Sequence, residues 1–569
     1  MRSVVAVCGV TAALALAACS APDPASAEPS ASATKSAVLD HHVGTRVVDG
    51  VGEFYSIDTG QTFTTRGFNY NHWVADPATG NISDALLSTT YWDASAVDAD
   101  LAEIEDLGFN TIRVMVDVAS PAYGAIDTGP TGRELNPAFL DNLTELLDIA
   151  QRHHLEVFLS SNTLPDGSWW INRTASHETP LFQGAANEFF TEVGVSTYVD
   201  YWTKIVEGLV DRGAATDSIL GYELRQEYHV YANQPPFSLA SGTVTTASGD
   251  TYDLSRPEEK DRLFDEGTAY WEDQIRTAIR EIDPTALVTV GFFTPNDPHP
   301  VRGDDPRFVR TAYFLTHASA DFIDIHHYPG NGVDDDEIWE NFGLTGTDRM
   351  PVLLGEFGGI KEWFSNEADA AAAVMGLEVA ACREGIDGYL VWAWRGDDLH
   401  DIFWASEGDG YVARVVSPAT RPDACEYGAF DFLRYNAAST AVVTASSAID
   451  GRGPEYLNDG TPALWNASAR SPQWVQLDLA GPTTLDRIEL VVAQDPPGPS
   501  THELWMQTDG GALTRVTTYA GTTRENDVLV YEPDSPIVGV VQVRVVTTSL
   551  GDLWPAWHEI YLWSPDTPT

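Results

Sequence analysis

The sequence predicts a (β/α)₈ barrel followed by an all-β sandwich, and three observations carry that prediction. From residue 46 to 435, short apolar runs alternate with longer amphipathic helical patterns, the mark of parallel strands joined by right-handed crossovers. Eight such units in about 390 residues suit a closed α/β barrel with inserted loops. Beyond residue 436 the helical period gives way to short β-rich runs separated by Gly- and Pro-containing turns, as in a β-sandwich.

Taken in order, the chain opens with Met1 and Arg2, an apolar run over 4–18, and Cys19. A short charged start followed by a brief apolar stretch is an export signal, too short for a stable membrane span. A signal peptide is therefore expected over 1–18. The ending Leu16-Ala17-Ala18-Cys19 resembles the bacterial lipobox, which implies lipidation of Cys19; a plain secretory signal cut near Ala27 is the alternative. Residues 19–45 are rich in Ala, Ser and Pro and read as a flexible tether. An exported chain reaches an oxidising compartment, so Cys382 and Cys425 are candidates for a disulfide. Two free buried thiols are the other reading.

Barrel strands are expected at 64–69, 111–116, 156–161, 219–224, 286–291, 321–326, 351–355 and 388–393. Helices are expected at 98–107, 137–154, 197–212, 257–282 and 367–384. An open doubly wound sheet would want a Gly-rich turn after its first strand, and Gly67-Phe68-Asn69-Tyr70 is not one. The segment 228–256, between the fourth strand and its helix, is long enough to wall off one end of a cleft. Sandwich strands are expected at 474–479, 486–493, 503–508, 528–531, 538–547 and 559–563.

Charge excludes several functions. The chain has 84 Asp and Glu against 32 Lys and Arg, a net charge of −52. Such a surface repels a phosphate backbone or an anionic leaflet, so no nucleic-acid partner is expected, and a membrane only through a lipid anchor. The sequence carries no HExxH, CxxC or P-loop pattern, so no catalytic metal or nucleotide is expected.

Catalytic groups of a barrel come from the C-terminal ends of its strands. The fourth strand runs into Arg225-Gln226-Glu227 and the seventh ends at Glu356. Two carboxylates on different strand mouths are what glycoside hydrolysis needs, one protonated for the leaving oxygen and one ionised for the anomeric carbon. Around them lie Arg113 in strand two, Asn162 after strand three, His326 and Tyr328 at strand six, and Trp392 with Trp394 at strand eight. Each has a plainer reading. Glu227 could be a solvated loop acid, Arg113 a structural ion pair, His326 and Tyr328 packed mouth residues. The two tryptophans, two apart on one strand, could both be core.

Together these segments resemble the family 5 glycoside hydrolases. Leu107-Gly108-Phe109-Asn110-Thr111-Ile112-Arg113-Val114 is similar to that family's second-strand signature. Asp321 to Pro329 resembles the strand-six segment of its β-mannanases, with His326-His327-Tyr328 at the His-x-Tyr position. Gly355-Glu356-Phe357-Gly358 resembles its nucleophile segment, and Trp392-Ala393-Trp394 its strand-eight aromatic. The resemblance implies Glu227 as acid/base with a raised pKa and Glu356 as an ionised nucleophile. It also implies Tyr328 and Arg113 supporting Glu356, His326 near Glu227, and Trp392 under the sugar. Its mechanism retains configuration, with carboxyl groups about 5–5.5 Å apart. Gln226 stands where the family has Asn, and Tyr228 where Pro is common.

Residues 436–569 resemble discoidin-type (coagulation factor 5/8 type C) modules, which serve many glycosidases as carbohydrate-binding modules. The likeness lies in Asn458-Asp459-Gly460 with Trp465, in Trp474-Val475-Gln476-Leu477-Asp478-Leu479, and in His558-Glu559-Ile560. It implies a structural Ca²⁺ with Asp459 and Glu559 contributing oxygens; a buried turn Asp and a capping Glu are the plainer reading.

The expected protein is an extracellular retaining β-glycosidase for β-linked mannan- or glucan-type saccharides, needing no catalytic cofactor. Rival expectations are the same fold acting on a furanoside or an N-glycan-like β-mannoside, and an inactive carbohydrate-binding surface lipoprotein.

Overall fold

The computed structural model describes residues 41–565 except 76–81, 118–120, 296–304, 331–334, 345–349, 365, 397–401, 405–409, 429–434, 460–462 and 552. The signal segment 1–18, Cys19 and most of the expected tether lie outside the described residues. No helix among the described residues is long and apolar enough to cross a membrane.

The barrel strands are β1 (Thr65–Asn69), β2 (Thr111–Met115), β3 (Glu156–Ser160) and β4 (Ile219–Glu223). They continue with β5, split into Val288–Thr289 and Gly291–Phe292, then β6 (Ile323–His326), β7 (Val352–Phe357) and β8 (Gly388–Val391). Most are buried along their whole length, as strands covered on both faces must be. All pairings are parallel, in the order β5–β4–β3–β2–β1–β8–β7–β6–β5. The first half of β5 pairs with β4 and the second with β6, and the break at Val290 closes the barrel.

The helices between strands follow their caps. Asn136 accepts from the Ala138 N–H to start Pro137–Arg152, with Pro137 in the first turn; Asn366 does the same for Glu367–Glu384 through Asp369. Gly213, left-handed at φ +66°, ends Glu192–Arg212.

The expected tether ends sooner than residue 45, because Val43–Val48 pairs with Val51–Ser56 as an antiparallel hairpin. Val43 and Phe54 are buried with Phe158, Leu220, Phe322 and Leu390 under the barrel. Apolar burial thus recruits residues whose local composition looked like linker. His41 anchors the hairpin: Nδ1 lies 2.8 Å from the Ile219 carbonyl and Nε2 2.8 Å from Asp283.

In the segment 228–256, Val230–Tyr231 pairs with Arg307–Phe308 beside the barrel mouth. The hairpin Thr243–Thr245/Thr251–Asp253 instead packs on the helix Pro257–Ile282, where the Tyr252 hydroxyl donates to Glu266 at 2.8 Å. The part that reaches the mouth is therefore short.

After the barrel, two antiparallel sheets face each other. One orders Tyr435–Asn436, Ala556–Ser564, Arg487–Val492 and Val528–Tyr531; the other orders Val442–Ala445, Gln473–Leu485, Ile537–Ser549, Gly498–Thr508 and Thr514–Thr523. Leu477, Leu490, Val543 and Ile560 fill the space between them. Barrel and sandwich share a small apolar cluster of Ala368, Val491, Tyr561 and Trp563, with Tyr411 against it. Cys382 and Cys425 form a disulfide with Cα atoms 5.1 Å apart.

Candidate active site

The C-terminal mouth of the barrel gathers charged side chains from strands far apart in sequence. Arg113 of β2 is its centre. It is fully buried, and its five N–H donors are all engaged. Nη1 donates to Glu356 Oε1 at 2.7 Å and to Asn69 Oδ1 at 2.6 Å. Nε and Nη2 reach Glu223 Oε2 at 2.9 and 2.7 Å, and Nη2 also donates to Gln226 Oε1 at 3.0 Å. Only carboxylate and carbonyl oxygens can face such a fork, so the Gln226 oxygen must point at Arg113 and its nitrogen away. Gln226 Nε2 accordingly donates to Asn162 Oδ1 at 3.0 Å. Asn162 is held through its backbone N–H on Asp117 at 2.8 Å, which also accepts from Thr163 N and Ser161 Oγ.

Glu356, inside β7, accepts from Arg113 and from the Tyr328 hydroxyl at 3.1 Å. Gly355 before it is required by space, since a Cβ there would stand 2.1 Å from Asp324. Glu227 lies past the end of β4 with its side chain 30% exposed to the mouth. Its oxygens are 3.5 Å from His326 Nδ1 and 3.9 Å from Arg307 Nη1. His326 Nδ1 is also 3.4 Å from Glu356 Oε2, and Nε2 is 3.5 Å from Asp324. One oxygen each of Glu227 and Glu356 and a nitrogen of His326 lie within 4.8 Å of one another.

The electrostatics follow from this crowding. Burial works against a charged His326, yet Glu356, Asp324 and Glu227 outweigh it and hold the ring protonated well above the ordinary imidazole range. Burial also raises Glu227, but His326 and then Arg307 bring its carboxyl below the ordinary range. Glu356 is raised by burial and by the Glu227 charge, against His326 and Arg113. Glu223, wholly buried beside Asp324, is pushed up to about 7 by burial despite Arg113. The expected raised Glu227 is thus corrected for the resting site: the imidazolium between the two carboxyls sits on the acid/base side too.

Trp392 is 7% exposed and joins Met115, Trp73, Tyr328 and Phe403 in an aromatic wall at the mouth. Trp394 is fully buried, edge-on to Phe68 at 5.0 Å. The two tryptophans do not share an environment, because β8 ends at Val391 and strand alternation stops before them.

The structure therefore brings Glu227, Glu356, Arg113, Gln226, His326 and Tyr328 together, with Asn162 behind Gln226 and Trp392 on the wall. It adds residues that the sequence reading passed over. Asn69, Glu223 and Asp324 are buried in barrel strands; a charged side chain inside an apolar strand is the signal that could have found the last two. His229 and Arg307 flank Glu227 without any motif to mark them. In the sandwich, Glu559 is fully buried whereas Asp459 is exposed. Among the described residues neither joins a group of three close acidic, His or Cys ligand atoms.

Residues 59–398 match the family described as cellulase (glycosyl hydrolase family 5), and residues 442–564 match the F5/8 type C domain. No curated protein matches the chain. Among solved structures, an endo-1,4-β-mannanase from Rhizomucor miehei is 16% identical with a TM-score of 0.47, covering 67% of this chain and 100% of its own. An exo-β-1,4-mannosidase from an Opitutaceae bacterium is 19% identical with a TM-score of 0.41, covering 67% of this chain and 58% of its own. The family 32 carbohydrate-binding module of NanJ from C. perfringens, solved with galactose, is 19% identical with a TM-score of 0.21, covering 23% of this chain and 98% of its own.

Proposed function

The chain belongs to glycosyl hydrolase family 5, a retaining family that needs no cofactor, and on that premise we propose that it cleaves β-linked mannan- or glucan-type saccharides by double displacement, with Glu356 as nucleophile and Glu227 as acid/base. The observation that carries the reading is the pair of carboxyls with one oxygen of each within 4.8 Å of the other, one clamped by Arg113 and Tyr328 and the other left partly open to the mouth. In the first step a Glu356 oxygen bonds to the anomeric carbon while the bond to the leaving oxygen breaks, and Glu227 gives that oxygen its proton. In the second, Glu227 takes a proton from water, the water oxygen attacks the anomeric carbon, and Glu356 is released. The depressed resting carboxyl of Glu227 suits the second step. A bound sugar covers its exposed side, removes water from the charged form, and raises it for the first.

Reaction with a 2,4-dinitrophenyl 2-deoxy-2-fluoro-β-glycoside tests this directly. The expected result is a stable mass increase on the peptide containing Glu356. Label on another carboxylate, or release of an inverted product, would defeat the assignment. A panel of aryl β-mannosides and β-glucosides identifies the sugar.

For the sandwich we propose sugar binding, holding the enzyme near its polymer and raising effective concentration. Trp554, 45% exposed, borders a pocket of about 340 Å³ with Asn466, Gln494 and Asp495; Trp554→Ala should abolish retention on insoluble polysaccharide and leave hydrolysis of small aryl glycosides unchanged. The resemblance-based calcium, for which Glu559 offers a buried carboxylate, predicts a Tm that falls on chelation and returns with Ca²⁺. We also propose export with a lipid on Cys19, tested by labelled palmitate incorporation that Cys19→Ala removes.

A further inference from the structure

Glu227 has φ +43°, one of four non-glycine residues with positive φ among the described residues. For a residue with a Cβ, left-handed backbone is unfavourable, and it persists only where neighbours over-determine it. They do so here. The Gln226 N–H donates to the Ser161 carbonyl at 2.8 Å and the Tyr228 N–H to the Gly291 carbonyl at 2.8 Å. Tyr228 is itself immobile, stacked on Phe189 at 4.2 Å with its hydroxyl 3.2 Å from Thr268 Oγ1. These contacts fix the residues on either side of Glu227. Its own carbonyl is held by one side chain, His229, whose Nδ1 lies 2.6 Å away.

We propose that His229 is a positioning residue for Glu227: its Nδ1–H grips the Glu227 carbonyl and holds the left-handed turn that aims the carboxyl into the mouth, between His326 and Arg307. The inference rests on the reading of Glu227 as acid/base.

The chemistry of the ring supports the role. A carbonyl can only accept, so Nδ1 carries the proton. Burial, with Arg225 and Arg307 nearby, brings the imidazole down to about 4, so the ring is neutral and Nε2 is bare under ordinary conditions. A neutral donor grips the carbonyl without placing a third cation beside Glu227, which already faces His326 and Arg307. The next two residues, Val230–Tyr231, pair with Arg307–Phe308. Arg307 in turn is fixed by Asp305, at 2.8 Å from Nε, and by the face of Phe293 at 3.9 Å. The group that grips the Glu227 backbone therefore immediately precedes the small sheet that carries the cation facing its carboxylate. If the grip is lost, the backbone relaxes to an ordinary φ and the carboxyl swings off the leaving oxygen, while Glu356 and its Arg113 clamp stay in place.

Three variants measured on two leaving groups test this: His229→Leu, which fills the space without a donor; His229→Asn, whose amide N–H occupies the place of Nδ1–H; and Glu227→Ala. kcat/KM is read for a phenyl glycoside, which needs proton donation, and for a 2,4-dinitrophenyl glycoside, which hardly does. His229→Leu should lose about 100-fold on the phenyl substrate, the scale of an ångström of misplacement, and almost nothing on the other. His229→Asn should restore most of the loss. Equal losses on both substrates, no loss on either, or an Asn variant as poor as Leu would each overturn the proposal. Glu227→Ala separates the two readings: without selective loss on the phenyl glycoside it is the acid/base assignment that fails. Should His229→Leu not fold, the Asn variant decides, since it must then stay near wild type on both substrates.

Discussion

Gln226, the residue before the proposed acid/base, accepts a hydrogen bond from the same guanidinium that clamps the proposed nucleophile: Arg113 Nη2 lies 3.0 Å from Gln226 Oε1 while Nη1 lies 2.7 Å from Glu356. The added methylene relative to asparagine is what carries the amide oxygen to Arg113, while its nitrogen donates to Asn162. Gln226→Ala removes an acceptor from a buried cation and should lower kcat/KM by about 10- to 100-fold, the worth of a hydrogen bond to a charged group. Gln226→Asn, one methylene shorter, should lose the Arg113 contact and change the ratio of rates between epimeric aryl glycosides. Unchanged kinetics in both variants would place the amide outside the sugar's reach.

Removing either carboxylate should stop turnover in different ways. Glu227→Ala should lose about 10²–10⁴-fold on poor leaving groups and yield a β-glycosyl azide when azide is added. Glu356→Ala should form an α-glycosyl azide from an activated β-glycoside instead. The same anomer from both variants is incompatible with their assigned roles.

The disulfide Cys382–Cys425 closes a loop with a sequence separation of 43, for which loop-closure entropy gives about 4 kcal/mol, an upper figure for most proteins. The double variant Cys382→Ala/Cys425→Ala should lose about 2–4 kcal/mol in denaturant unfolding while kcat is kept, because neither residue touches the mouth. Full retention of stability would mean that the loop is already ordered in the unfolded chain without its crosslink.

His41 gives stability a pH dependence with a definite sign. Burial lowers its affinity for protons, but Asp283 at 2.8 Å more than offsets this and raises the folded value. A raised folded pKa stabilises fully below the unfolded value, about 6.5, and the gain is lost as pH rises through the folded value. The Tm difference between wild type and His41→Gln should therefore be largest below pH 6 and shrink above. A difference that stays constant with pH would rule the linkage out.

The barrel was legible because its signal is local. An apolar run bounded by helical pattern marks a strand, and the strand's end marks the mouth, so Glu227 and Glu356 could be named before any contact was known. What was not legible depends on contacts distant in sequence. The residues Val43–Val48 look like the end of a linker until Phe54 and Val43 are seen beneath the barrel. Thr514–Thr523, mostly polar and exposed, has too weak an alternation to be read as a strand. The break at Val290 is visible only as a change of partner. The resting charge order at the mouth was misjudged because His326, Asp324 and Arg113 converge from separate strands, and no spacing along the chain expresses their sum. Trp392 and Trp394 were separable only once β8 was seen to stop at Val391.

The apolar cluster shared by Ala368, Val491, Tyr561 and Trp563 would make a sugar-binding sandwich a gauge as well as a leash. On the proposal that the sandwich binds sugar, this contact would hold a gripped unit at a preferred separation from Glu356, so a polymer fed across both would be cut at a preferred offset from that unit. Product sizes from long chains would then cluster, and severing the cluster with a charged residue at Ala368 should spread them without slowing the cut on small glycosides.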